Sequence, residues 1–302
     1  MSNRRAQLYY LLICCIWGST WLSIKLGLAV LPPLWFVSSR FVVATLVFFL
    51  LLKLLKKSLR ITRKELPIFF QLGLLMYALP YTLVFWGEQY VSSATAALIT
   101  SVYPLLTFPL AYFLKVNEKF SWNKFFGMIF GFVGVLFFIL PNFDWHDLLS
   151  IRGELALFGS TLLAAWNAVN VRRLRHIPTH QITFYPILFA TGMLLAVSFF
   201  KGDWNVFLAG VVQFQGWSNL IYLAVVGTVI SFYLYVSLIQ VKGVTLAVST
   251  QYVIVPLALL LDHFVMKTPL SPWTFIGVLF VFGGLWFVSH VKKNVHPQVP
   301  VL

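Results

Sequence analysis

Acidic residues are scarce in this chain: eight Asp and Glu stand among 302 residues, against 22 Lys and Arg. Charged residues of both signs reach only 10%, where soluble domains carry about 25%, so composition argues against a water-soluble enzyme. Cysteine is nearly absent too. Cys14 and Cys15 are adjacent, which suits neither disulfide geometry nor any metal-ligand spacing, and both read as packing. The residues for intramembrane catalysis are also thin. His263 and His290 have no His or Cys partner at ligand spacing, and Gly18-Ser19 and Gly159-Ser160 lack a nucleophile-elbow context. No catalytic residue, metal or cofactor is expected.

What is present is apolar: 60% of residues, with a mean hydropathy of +0.88. Ten apolar runs fill the chain, at 8–29, 34–55, 67–87, 91–114, 122–140, 153–172, 181–200, 218–240, 244–266 and 272–290. A helix needs about 20 apolar residues to cross the hydrocarbon core, and in lipid a spanning segment must satisfy its own backbone amides. The expected fold is therefore all-α: a polytopic integral membrane bundle of ten transmembrane helices. The first run follows Arg4 and Arg5 but is too long for a signal peptide and lacks a small-x-small cleavage site. It reads as a retained helix.

The net charge of +14 invites a nucleic-acid partner, and its placement rejects one. With a cytoplasmic N-terminus, 17 of the 22 Lys and Arg fall inside; only Arg152, Lys201 and Lys267 lie in external loops, with Lys25 and Arg40 in spans. That is the positive-inside bias, and it puts both termini in the cytoplasm and the lipid bilayer in contact with most of the chain. Five crossings per half then invert the second half relative to the first. The expected organisation is a first repeat at 1–140, an external linker at 141–152, a second repeat at 153–290 and a cytoplasmic tail at 291–302.

Internal similarity supports the duplication. Without gaps, 125–138 against 275–288 aligns Phe125 with Phe275, Gly127 with Gly277, Phe130 with Phe280, Phe132 with Phe282, Gly134 with Gly284 and Phe137 with Phe287. Pro104 and Pro256 occupy similar places in the fourth and ninth spans, and Trp17 in the first span has a counterpart near Trp166 in the sixth. A five-plus-five inverted repeat is the architecture of many secondary transporters.

The residues also resemble a known family, the EamA branch of the drug/metabolite transporter superfamily. The resemblance runs through Trp17-Gly18-Ser19-Thr20, Lys25-Leu26-Gly27, Leu31-Pro32-Pro33 and Arg40-Phe41 with Ala44. It continues at Ser92 to Leu98, Tyr103-Pro104-Leu105, Glu118 and the Gly127, Gly131, Gly134 helix. The second half departs from the pattern where Lys267-Thr268-Pro269-Leu270 replaces the family's Gly-Glu-type turn. The resemblance implies ten helices around a central cavity and export or exchange of a small-molecule substrate such as an amino acid; separately, the lack of any eukaryotic sorting signal is compatible with a bacterial inner membrane.

Several residues are candidates for that work. Ionisable groups at membrane depth are costly, and Lys25, Arg40, Glu88 and Asp262 share the outer third of the bilayer, where a basic member pairing with an acidic one would close an outer gate. Substrate-pathway candidates are Trp17, Thr20, Trp21, Tyr77, Tyr81, Trp166, Asn167, Asn170, Gln240, Gln251 and Tyr252, chosen for shared helix faces and for amides that demand partners in lipid. Pro80, Pro104 and Pro256 are expected helix kinks. The Gly-rich fifth and tenth helices suit either packing within the subunit or a homodimer. No membrane-centre carboxylate is in view for proton coupling, which favours alternating access by facilitated diffusion or exchange. Uptake or antiport of a nucleotide-like metabolite, drug efflux, and a channel or scaffold are the alternatives.

Overall fold

The computed structural model describes residues 3–91, 93–114, 116, 121–139, 151–267 and 272–289. Residues 141–150 of the linker, the 291–302 tail, Ser92, Glu118, Thr268 to Leu270 and His290 lie outside the described residues. Among the described residues all regular structure is helical.

The first half contains α1 (Asn3–Leu28), α2 (Pro33–Leu54), α3 (Leu66–Gly87), α4 (Ser93–Thr100), α5 (Tyr103–Phe113) and α6 (Trp122–Ile139). The second contains α7 (Ile151–Arg173), α8 (Thr179–Lys201), α9 (Trp204–Val211), α10 (Phe214–Lys242), α11 (Val244–Met266) and α12 (Trp273–Ser289). Six of these, α1, α2, α3, α8, α10 and α11, are long and apolar enough to cross a membrane by length and composition. α7 is long but carries Ser160, Thr161, Asn167 and Asn170 along its middle, which lowers its hydropathy.

The turns follow local chemistry. Pro33 opens α2 with its φ already set for a first helical turn. Gly243, at φ 103°, separates α10 from α11 in a conformation that favours glycine. The expected fourth span is broken: Pro104 has no N–H and its ring crowds the carbonyl one turn earlier, so α4 stops at Thr100 and α5 starts at Tyr103. Pro256, by contrast, sits inside α11. α9 was not anticipated, and α10 begins four residues before the expected 218.

Packing relates the halves. α6 and α12 run antiparallel, since Gly134 lies against Gly277 and Val281 while Gly284 lies against Gly127 and Gly131. α2 and α8 are also antiparallel: Ser198 bonds Ser38 at 3.1 Å and Thr191 bonds Thr45 at 2.8 Å. The remaining neighbours exchange between halves. α1 packs on α11 as α7 packs on α4 and α5, and α3 packs on α7 as α10 packs on α1. The glycine face of α6 and α12 is thereby used within one chain, where small residues let backbones approach, which is the first of the two uses expected for it.

A Cβ at Gly284 would stand 2.4 Å from the Gly127 carbonyl oxygen, whereas one at Gly283 meets nothing within 4 Å. Gly284→Val is expected to destabilise the protein by about 1–3 kcal/mol, the usual cost of overpacking. Gly283→Ala should match or slightly exceed wild type. Thermal unfolding in detergent compares the two, and equal melting of both variants would contradict this packing.

Candidate functional site

A cavity of about 150 Å³ lies between the halves. α1 gives it Trp17, Thr20, Trp21 and Ile24, α2 gives Arg40, and α3 gives Met76, Pro80, Tyr81 and Val84. Thr100 and Tyr103 enter from α4 and α5, Ser160, Thr161, Ala164, Asn167 and Ala168 from α7, Phe232 and Tyr235 from α10, and Gln251 from α11. Arg40 is the single charged residue of this lining.

Two irregular helices build the walls. α3 and α10 each contain a six-residue π-helical segment, Gly73–Ala78 and Val225–Ile230. Their starts are offset by the same 152 residues that separate Pro104 from Pro256. Wider i→i+5 turns leave carbonyls available to outside donors, and such bulges recur at functional sites. In α3 the Leu75 carbonyl accepts from Asn167 Nδ2 at 2.6 Å. Pro80 follows closely, and its missing N–H is accommodated by the looser turn. In α10 the corresponding carbonyl, that of Gly227, accepts from Arg40 Nη2 at 3.1 Å and from Ser231 Oγ at 2.7 Å.

Arg40 is thus seated by its inner edge. Nε donates to Thr228 Oγ1 at 2.8 Å, and that hydroxyl donates to the Leu223 carbonyl five residues back. The guanidinium carbon stands 4.7 Å from the Tyr81 ring centroid, within cation–π range. Nη1 is buried and makes no hydrogen bond. Trp17 is fixed to the same network, donating through Nε1 to Ser231 Oγ at 2.9 Å and packing on Phe232 and Tyr235 at centroid distances of 5.3 and 4.8 Å. Across the cavity the hydroxyls of Tyr103 and Tyr235 meet at 2.5 Å, and Gln251 Nε2 donates to Thr100 Oγ1 at 2.8 Å.

The two ends of the bundle are clasped by cations on backbone oxygens. Lys25 Nζ donates to the carbonyls of Glu88 and Val91, each at 2.7 Å, where α3 turns into α4. Arg172 Nη1 donates to the carbonyls of Ile239 and Gln240, where α10 turns into α11. Lys25, Asp262 and Arg40 all act electrostatically on the Glu88 carboxylate, so the four charges expected at one depth do gather. The contacts differ from the expectation: Arg40 bonds to α10 and Lys25 to carbonyls, and neither oxygen of the fully buried Glu88 carboxylate is hydrogen-bonded.

Of the expected pathway residues, Trp17, Thr20, Trp21, Tyr81, Asn167 and Gln251 line the cavity. Tyr77 is buried behind it against Phe41 and Phe232. Tyr252 is buried and donates to the Met128 carbonyl at 2.8 Å. Gln240 lies at the end of α10, bonded to Thr179, Leu174 and Ile177. Trp166 corrects the expectation: its side chain is 39% exposed on the outer surface, because Asn167 takes the inward position on α7. Asn170 folds back on the Trp166 carbonyl. Sequence reasoning missed Tyr103, Phe232 and Tyr235; Tyr103 stood within the Tyr103-Pro104-Leu105 motif.

The model of the EamA-like transporter family matches residues 4–140 and 151–290. Among curated proteins, the chain is 27% identical over 190 residues to an uncharacterized transporter, YoaV, of Bacillus subtilis, covering 62% of this chain and 64% of that one. It is 24% identical to the protein PagO of Salmonella typhimurium over 97% of this chain and 95% of that one. An S-adenosylmethionine/S-adenosylhomocysteine transporter of Chlamydia trachomatis is 27% identical over 68% of each chain. The matches span just under two thirds of the first two relatives' length, 64% and 66%. A crystal structure with 19% identity superposes with a TM-score of 0.77 over 97% of this chain and 100% of that one, which establishes a shared fold.

Thr228→Val removes the acceptor of Arg40 Nε and leaves a second guanidinium nitrogen unbonded in a buried site. The expected loss is about 1–3 kcal/mol of stability, with Thr228→Ser close to wild type. Thermal unfolding of the purified pair measures it, and equal melting would show that Arg40 does not depend on this hydroxyl.

Proposed function

The chain belongs to the EamA-like transporter family, and we propose that it moves small metabolites by alternating access around the cavity just described. It is an integral membrane protein; a bacterial inner membrane is the setting its bacterial relatives support. The observation that carries the reading is the cavity's position between two sets of helices whose counterparts run antiparallel. In this reading the chain forms ten spans, with α4–α5 as the broken fourth, repeats at 1–140 and 153–290, and cytoplasmic termini.

The mechanism follows from that symmetry. An inverted repeat has two conformations of similar energy, related by exchanging the roles of its halves. Lys25 closes one end by clasping the α3–α4 turn, and Arg172 clasps the matching α10–α11 turn at the other. Opening one clasp while keeping the other exposes the cavity to one side at a time. Glu88 and Asp262 form the outer gate together with Lys25 and Arg40. Among the described residues no carboxylate lines the cavity, which supports facilitated diffusion or exchange of amino acids or related compounds, with export as the direction. A nucleoside-bearing substrate is the second reading, favoured by the S-adenosylmethionine/S-adenosylhomocysteine relative and by an aromatic lining able to stack a base.

Purified protein in vesicles, loaded in turn with amino acids, nucleosides and organic cations, is expected to show saturable flux or counterflow of at least one class without an imposed pH gradient. Accumulation that requires the gradient overturns the facilitated mechanism. A fixed conductance independent of any solute overturns the transporter reading in favour of a channel. Orientation is tested separately in a background lacking Cys14 and Cys15: Asp203→Cys should label from outside the cell and Lys57→Cys only from the cytoplasm. Labelling of both from one side contradicts the inverted arrangement.

A further inference from the structure

We propose that the substrate carries a carboxylate, and that the free edge of the Arg40 guanidinium is its docking point. This rests on the transporter reading above and names the chemistry of what the cavity accepts.

The cavity lining holds one cation and no anion. Arg40 is 1% exposed, so its charge is not relieved by bulk water. A charged group at membrane depth is costly and is kept where it pairs or serves a pathway. Protein partners satisfy only part of it. Nε and Nη2 are held by Thr228 and Gly227, and the Tyr81 hydroxyl also acts on the guanidinium as a hydrogen-bonding neighbour, while Nη1 is buried without a hydrogen bond of its own. Glu88 acts on Arg40 electrostatically but makes no hydrogen bond through its carboxylate. The donor left without a partner is Nη1, beside Nη2 in the guanidinium plane, at the cavity wall. That fork matches the two oxygens of a carboxylate in bidentate fashion.

Charge number narrows the class further. One guanidinium balances one negative charge, as in a monocarboxylate; a phosphate monoester brings about −1.5 to −2 into a lining with no second cation. Organic cations without a carboxylate find no anion among the described lining residues, since Glu88, which acts on Arg40, is buried outside that lining. The remainder of the wall suits an apolar or aromatic body: Trp17, Trp21, Tyr81, Tyr103, Phe232 and Tyr235 surround the same space. The rings are fixed in advance, Trp17 by its bond to Ser231 and the two tyrosines by each other, so a ligand has little side-chain ordering to supply.

The test compares matched ligands on the wild-type protein, so it does not depend on a variant that disturbs the α2–α10 contact. Protein in vesicles is challenged with L-phenylalanine, 3-phenylpropionate, L-phenylalaninamide and phenethylamine, and with L-leucine against L-leucinamide. Flux is read by counterflow, and binding by quenching of tryptophan fluorescence. A charge-assisted hydrogen bond lost in a buried site corresponds to about tenfold or more in affinity, so each amide should bind and compete at least about tenfold more weakly than its carboxylate partner. Arg40→Lys, which keeps the charge and loses the fork, should shrink that ratio if it folds.

Equal recognition of carboxylate and amide overturns the inference, as does preference for phenethylamine; in both cases the transporter reading stands, because a solute has moved. Failure of every carboxylate in this panel likewise overturns it, and the broader solute set of the preceding section then decides transport on its own.

Discussion

The cavity depends on a single buried contact, that between Arg40 of α2 and the π segment of α10. A guanidinium inside a membrane bundle needs several acceptors at once, and a regular helix, whose carbonyls each already accept one backbone bond, offers few that are well placed. The bulge at Val225–Ile230 frees the Gly227 carbonyl, and Thr228 turns its hydroxyl toward the same site. Ser231 then ties Trp17 to that carbonyl's neighbourhood. One irregular turn therefore holds a cation, a tryptophan and, through Trp17, the face of Phe232 and Tyr235. Gly227 eases this approach: a Cβ there would lie 3.0 Å from Thr20 Cγ2, so a side chain would fit only if Thr20 gave way by a few tenths of an ångström.

The same device recurs in the other half with different chemistry. At the matching position in α3, Leu75 offers its carbonyl to the Asn167 amide. Duplication has kept the bulge and the freed oxygen but changed the donor from a charged fork to a neutral amide. The pseudo-symmetry thus concerns backbone, whereas the side chains that fill it differ. Under the transport reading proposed above, symmetric hinges would allow two similar-energy states, and an asymmetric lining would give a bound solute one preferred orientation.

Much of the fold was legible because bilayer physics leaves few options. The apolar runs that became α1, α2, α3, α8, α10 and α11 were visible from length and hydropathy. Trp17, Trp21 and Asn167 were found because helical spacing places residues on one face, and Arg40 because a charge in an apolar run stands out. Trp166 misled for a related reason: it was matched to Trp17 across the repeat, whereas the inward position on α7 belongs to the next residue, Asn167. Tyr103 and Tyr235 were hidden by an 18% aromatic composition; what distinguishes them is their meeting across two helices, a fact no local pattern contains. The π segments were invisible in the sequence as well. Pro80 hints at the first, but α10 has no proline, and its bulge is fixed by the tertiary partner that uses it.

The two ends of the bundle differ in what holds them. At the α10–α11 turn, the Gln240 side chain accepts from Thr179 and donates to the Leu174 and Ile177 carbonyls, in addition to the Arg172 clasp on the backbone. At the α3–α4 turn the matching residue is Glu88, whose carboxylate is buried without a hydrogen bond, leaving Lys25 as the clasp. Separating the first turn breaks neutral bonds already made, each worth about 0.5–1.5 kcal/mol net. Separating the second breaks no bond of the Glu88 carboxylate and lets water reach a group whose dry burial is costly. The two matching turns are therefore alike in backbone and unequal in closure, with the Glu88 end the more weakly tied of the two.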